Sequence, residues 1–108
     1  MNIGQKARYE ARARIVKALA HPARLLIVDE LQAGPKCVCE IRAVVGSDMS
    51  TVSKHLSVLK NAGIVRDEKR GVQVYYRLRC ACVTGFFECA EKVLLTTAKE
   101  HAKALGRA

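Results

Sequence analysis

The stretch CVCEIRAVVGSDMSTVSKHLSVLKNAGIVRDEKRGVQVYYRLR (residues 37–79) decides the fold. Its centre is the turn Gly46-Ser47-Asp48, with apolar Ile41, Val44 and Val45 before it and Met49, Val52, Leu56 and Leu59 after it. The later set recurs at spacings of three, four and three, the period of a helix with one buried stripe. Ser47 or Asp48 can cap that helix by accepting its free N–H groups, and Ala62-Gly63 closes it. Two helices joined by a short Gly-containing turn form a helix-turn-helix unit, whose second helix is available to the major groove of DNA.

Directly downstream, Ile64-Val65-Arg66 and Val72 to Leu78 bracket the polar tip Asp67-Glu68-Lys69-Arg70-Gly71, which reads as a hairpin, the wing. In its second strand Val72, Val74, Tyr76 and Leu78 alternate with Gln73, Tyr75, Arg77 and Arg79, so one face is apolar and should cover the helices.

Upstream, the short segment Cys37-Val38-Cys39 leads into the third helix. Residues 5–19 hold no Gly or Pro and set Ala7, Ala11, Ile15 and Leu19 on one narrow helical face. His21-Pro22 interrupts, and Pro22 suits the first turn of a second helix over about 22–33, with Leu25, Leu26, Val28 and Leu31 apolar and Gly34-Pro35 as its stop. From about Val83 to Leu105 a last helix carries Phe86, Phe87, Ala90, Val93, Leu94 and Ala98 on a broad stripe.

The expected fold is mainly α with a small β-hairpin: a winged helix-turn-helix of five helices plus a two-stranded wing. A chain of 108 residues, half of them hydrophobic, can bury one core, so residues 1–108 are read as a single domain. Residues 36–79 form its DNA-binding and wing part. The apolar stripes of the first and last segments, 1–20 and 82–108, have no partner within so small a body. Pairing them across a two-fold axis makes a homodimer.

Charge agrees with a polyanionic partner. Nineteen Lys and Arg against ten Asp and Glu give +9, with residues 1–24 at +5 and residues 47–80 at +4 by count of the same sequence. Charge alone would equally suit a solvated basic surface or an anionic membrane. The helix after the turn sharpens it: Ser50, Thr51, Ser53, Lys54 and Ser57 are left facing outward, short hydrogen-bonding groups around one cation, suited to base edges and phosphates. Lys69, Arg70 and Arg66 sit where a wing would follow the flanking backbone. The expected partner is therefore double-stranded DNA, read by two helices about 34 Å apart, with binding that weakens steeply with salt. No run approaches the roughly 20 apolar residues of a membrane span, and Met1 to Glu10 lack a signal peptide's apolar core, so a cytoplasmic protein with no membrane partner is expected. Five cysteines without an export signal are expected to be reduced thiols.

Taken together, Leu19-Ala20-His21-Pro22-Ala23-Arg24-Leu25, Cys37-Val38-Cys39-Glu40-Ile41, Ser50-Thr51-Val52-Ser53-Lys54-His55-Leu56, Leu59 to Val65 and Tyr75-Tyr76-Arg77-Leu78 resemble the ArsR/SmtB family of metalloregulatory repressors, most closely its arsenite-responsive type. The similarity covers roughly residues 12–80. It implies a dimer that occupies its operator when free of ligand and leaves it when a soft metal or metalloid binds. In that family a Cys-Val-Cys pair at the start of the third helix is similar to the arsenite and antimonite sensors and the cadmium and lead sensors; Cys37 and Cys39 match it. Where the arsenite pattern commonly adds a third cysteine, this chain has Arg42. The zinc sensors' ligand pattern is absent from the last helix, where His101 stands without its companions.

Trivalent arsenic forms up to three pyramidal bonds to thiolates, so the resemblance calls for two or three converging sulfurs. Cys37 and Cys39 chelate well only if their segment is extended or distorted, since residues two apart diverge by about 200° on a helix. A short strand before the third helix that paired with the wing's returning strand would bring Cys80 and Cys82 near them, and Cys82 is the preferred third ligand. Cys82 and Cys89 share a helix face about 10 Å apart, too far for one ion unless the helix starts late, which Gly85 would permit. The ligand set is thus drawn from Cys37, Cys39, Cys82 and Cys89, with Cys80 open. Arg79 beside Cys80 favours thiolate, which keeps a redox- or persulfide-sensing repressor as the alternative. A thiol-transfer enzyme would need an acid or base beside the cysteines. None is evident, and His21 and His55 read as structural.

Overall fold

The computed structural model describes residues 1–106 and comprises five helices and a small sheet. Helix α1 (Ile3–Leu19) begins two residues earlier than its apolar spacing suggests, because Asn2 caps it: Asn2 Oδ1 accepts from the Gln5 N–H at 2.8 Å while Gln5 Oε1 accepts from the Asn2 N–H at 3.1 Å. Helix α2 (Pro22–Leu31) opens on Pro22 and is capped by His21, whose Nδ1 accepts from the Ala23 N–H at 3.0 Å. Helix α3 (Val38–Val45) ends at Gly46, whose φ of +76° gives the left-handed turn that a β-carbon would disfavour. Helix α4 (Met49–Asn61) follows at once, its Asp48 cap accepting from the Thr51 N–H at 2.7 Å.

These four helices share one core. Ala18 and Leu19 of α1, Ile27, Val28 and Leu31 of α2, Ile41 of α3 and Val52, Leu56 and Leu59 of α4 are buried with Ile64 and Val65. The α2 stripe is rotated from the expected one: Ile27 is fully buried, while Leu25 and Leu26 keep 36% and 37% of their surface. Four consecutive apolar residues, Leu25 to Val28, leave the inward phase of a ten-residue helix undetermined by periodicity.

The wing hairpin has its two strands, and the short segment before α3 adds a third to the sheet. Strands β1 (Lys36–Cys37), β2 (Val65–Arg70) and β3 (Gln73–Leu78) lie in the order β1-β3-β2, all antiparallel. Asp67 to Arg70 belong to the ladder and not to the tip. The turn has only Gly71 and Val72 between the paired Arg70 and Gln73, with Gly71 at φ +63°. Val72 thus sits at the tip, 94% exposed, instead of on the apolar face. The rest of the alternation holds, and Tyr76 and Leu78 pack against the core.

Helix α5 (Val83–Ala104) leaves this body, and no residue of it is buried. The radius of gyration, 17.2 Å, exceeds the roughly 13 Å of a compact domain of this length. A groove of about 360 Å³ between α1 and α5 is lined by Arg12, Ile15, Val16, Leu19, Val83 and Phe86. Phe86, Val93, Leu94 and Leu95 remain more than half exposed along α5.

Candidate DNA-reading face and thiol sites

The Gly46 turn and the Asp48 cap fix where α4 begins, and the buried Val52, His55, Leu56 and Leu59 fix its rotation. Ser50, Thr51, Ser53, Lys54 and Ser57 are consequently all exposed, as the spacing requires. A hydrogen bond from the Thr51 N–H holds the Asp48 carboxyl below its ordinary value, so the cap is ionised at neutral pH.

The wing's cations divide by strand phase. Lys60 at the end of α4 is 3.0 Å from Asp67 Oδ2 on β2, a clasp that sets the wing against the reading helix and leaves Lys60 committed. Lys69 is exposed near the tip. Arg70 lies on the opposite face, its guanidinium 4.7 Å from the Tyr75 ring centroid and 3.3 Å from Glu68 Oε2. Sequence reading picked out Arg70 but missed Tyr75 and Glu68 as its supports, since a cross-strand neighbour is known only once register is known.

Behind α4, His55 is the buried polar residue of the core. Its ring lies 4.4 Å from that of His21, and Arg24 Nη1 approaches its Nδ1 at 3.4 Å while Arg24 Nε donates to the Ala18 carbonyl at 2.7 Å. Arg has only donors, so His55 Nδ1 accepts and the ring is neutral. Burial first, then the charges of His21 and Arg24, push His55 below its ordinary value. The unfolded chain binds this proton more readily. The stabilisation is therefore complete above about pH 6.5 and is lost as pH falls from there. The urea midpoint is expected to drop between pH 7.5 and pH 5, and His55→Gln to flatten that dependence; an equally steep curve in the variant would refute the assignment.

Cys37 is half-buried, whereas Cys39, Cys80, Cys82 and Cys89 are exposed. The boundary between β1 and α3 falls just after Cys37, which is extended (φ −73°, ψ 158°), and Cys39 lies in the first turn of α3. The pair therefore spans a strand-to-helix junction, the distorted case. Glu40 is held below its ordinary value by a hydrogen bond from the Cys37 thiol and then by the Cys37 N–H, which it accepts at 3.3 Å.

The expected approach of Cys82 to this pair within one protomer does not occur. Strand β1 does pair with β3, but Cys37 faces Tyr75, and Cys80 lies five residues farther along the chain, about 16 Å if extended. Cys80 and Cys82, two residues apart, influence each other instead: donation from the Cys82 thiol favours the Cys80 thiolate, lowering the pKa of Cys80 and raising that of Cys82. Helix α5 starts at Val83 with Gly85 inside it, so the late start that would have joined Cys82 to Cys89 is not seen. Among the described residues no three His, Cys, Asp or Glu side chains gather as a metal site. No helix among them is long and apolar enough to cross a membrane.

Residues 21–67 match the family described as "Bacterial regulatory protein, arsR family". The chain is 39% identical over 69 residues to the HTH-type transcriptional repressor SmtB of Mycobacterium tuberculosis, a match covering 64% of this chain and 51% of that protein. It is 40% identical over 67 residues to a cadmium resistance transcriptional regulatory protein, a CadC homolog of Staphylococcus aureus, covering 61% of this chain and 55% of that one. The aligned stretch is thus about half the length of these two relatives. The structure superposes with a TM-score of 0.72 and 31% identity on the homodimeric winged helix-turn-helix DNA-binding domain of a possible ArsR-family regulator from Mycobacterium bovis, covering 96% of this chain and 93% of that domain. With its turn, reading helix and wing arranged as above, the chain belongs to the ArsR family of DNA-binding winged helix-turn-helix regulators, and not to a family of enzymes.

Proposed function

We propose that this chain is a cytoplasmic, homodimeric operator-binding repressor, joined through α1 and α5, that releases DNA when its thiolates capture a soft ion. The ion is trivalent arsenic or antimony, or a divalent ion such as cadmium or lead. The observation that carries the reading is the position of Cys37 and Cys39 at the strand-to-helix junction that opens α3, the first helix of the helix-turn-helix, which packs against the reading helix α4. Ligation there acts on the unit that meets DNA. The cadmium-resistance relative supports the soft-ion chemistry. Two thiols are what one protomer offers at this point, so a third comes from the second copy, from Cys82 just before α5 or Cys89 on it. Ion binding expels thiol protons to water and favours a dimer geometry that no longer fits the operator; by linkage, DNA weakens ion binding by the same factor.

Two free, exposed thiols two residues apart, Cys80 and Cys82, favour a second reading, persulfide sensing. A persulfide would oxidise the pair to a disulfide and leave as a thiol and hydrogen sulfide. One experiment separates the two: operator release by arsenite, cadmium and a persulfide, measured on the Cys37→Ser/Cys39→Ser and Cys80→Ser/Cys82→Ser proteins. Loss of ion-driven release in the first variant is expected, while the second should lose persulfide-driven release and keep its response to the ions where Cys89 supplies the third thiolate. Unchanged release by both ions in the first variant would overturn the ion-sensing reading.

A further inference from the structure

The register of the three strands sets Cys37, Tyr75 and Glu68 in one row across the sheet, since Tyr75 faces Cys37 on β1 and Glu68 on β2. Residues directly opposite in antiparallel strands project from the same face, with β-carbons about 4.5–5.5 Å apart. Arg70, two residues beyond Glu68, shares that face. Its guanidinium lies over the Tyr75 ring and against the Glu68 carboxylate. The other face, bearing Val74, Tyr76 and Leu78, is turned to the body, and Tyr76 and Leu78 pack on the core. The sensing thiol and the wing cation are thus separated by a single aromatic ring.

We propose that Tyr75 is the positioning residue through which the Cys37 thiol governs the wing: the ring holds Arg70 in its DNA-competent place, and a ligand on Cys37 dislodges ring and cation together. This rests on the soft-ion reading for the ligand, but the Tyr75–Arg70 half stands without it. In the free protein Arg70 is aligned by the ring and balanced by Glu68, which a DNA phosphate replaces. A bulky ion on the Cys37 sulfur occupies the space beside the ring, and the release of DNA begins at the wing as well as at α4. No bond within Tyr75 or Arg70 changes; each ligating thiol, Cys37 and Cys39 among them, loses its S–H proton to water.

The test uses the full chain on its operator, with cadmium ion as probe. In the ion-free wild type, Arg70→Ala removes one phosphate contact per protomer, so the slope of log K against log salt should fall by about 1.8. In a Tyr75→Ala background Arg70→Ala should add little, because the cation is already unplaced, whereas Tyr75→Phe keeps the ring and behaves as wild type. Tyr75→Ala should also shrink the cadmium-driven loss of operator affinity while leaving cadmium–thiolate absorption intact. Additive effects of Tyr75→Ala and Arg70→Ala on the salt slope would overturn the positioning role. An unchanged cadmium response in Tyr75→Ala would sever the link to Cys37. Failure of the soft-ion reading itself would show differently, as full cadmium release in Cys37→Ser/Cys39→Ser with the Tyr75–Arg70 coupling unaffected.

Discussion

Replacing Lys54 with Ala is expected to weaken operator binding about sixtyfold at 0.1 M salt, with the slope of log K against log salt falling by about 1.8. Lys54 is exposed in the middle of α4, with Ser53 beside it and Ser50, Thr51 and Ser57 about one turn away on the outward surface. It is absent from the ion pairs found among the described residues, unlike Lys60, which the Asp67 carboxylate engages at 3.0 Å. A cation so placed on a reading helix exchanges a condensed counterion for itself at one phosphate. A two-fold dimer does this twice, and each exchange is worth about eightfold at that salt. Because Lys54 supports nothing in the core, the melting temperature should be unchanged. Lys60→Ala makes the internal comparison, since its loss unfastens the wing rather than a phosphate. Electrophoretic or anisotropy titrations across a salt series would measure both, and a Lys54→Ala slope equal to wild type would place the reading face elsewhere.

That face was legible in the sequence because its determinants are local. The cap at Asp48, the left-handed Gly46 and the three-four-three spacing of Met49, Val52, Leu56 and Leu59 each act within a turn or two of chain, and together they fix both the start and the rotation of α4. What the sequence concealed depends on pairing between distant segments. A two-residue strand such as β1 has no periodicity of its own, and its register against β3, which puts Cys37 opposite Tyr75 and carries Cys80 away, is set by how α3 seats on the core through Ile41. The wing tip was misjudged for a related reason. Asp67 to Arg70 are polar and read as loop, but the Lys60–Asp67 clasp and the Arg70–Tyr75 stack give those side chains partners on a ladder exposed on one face.

The double substitution Val93→Asp/Leu94→Asp is expected to yield a folded monomer whose operator affinity is lower by roughly 100- to 10,000-fold. Val93 and Leu94 are 64% and 69% exposed, on a helix with no buried residue. A charge there costs a single protomer little, and the circular dichroism and the cooperative unfolding of the α1–α4 core should persist. Buried against a second copy, four carboxylates would face an apolar seam without partners, and each desolvated charge costs several kcal/mol. The length of α5, the Phe86 groove against α1 and the radius of gyration of 17.2 Å are the features on which the proposed pairing through α1 and α5 rests. DNA binding follows because one protomer reads one half-site. Joining two converts the second encounter into an intramolecular one, and its loss removes that effective concentration without touching any DNA contact. Sedimentation equilibrium and operator titration on the same sample make the test. A dimer that survives both charges would move the two-fold axis away from this part of α5, and a monomer with undiminished affinity would refute reading by paired half-sites.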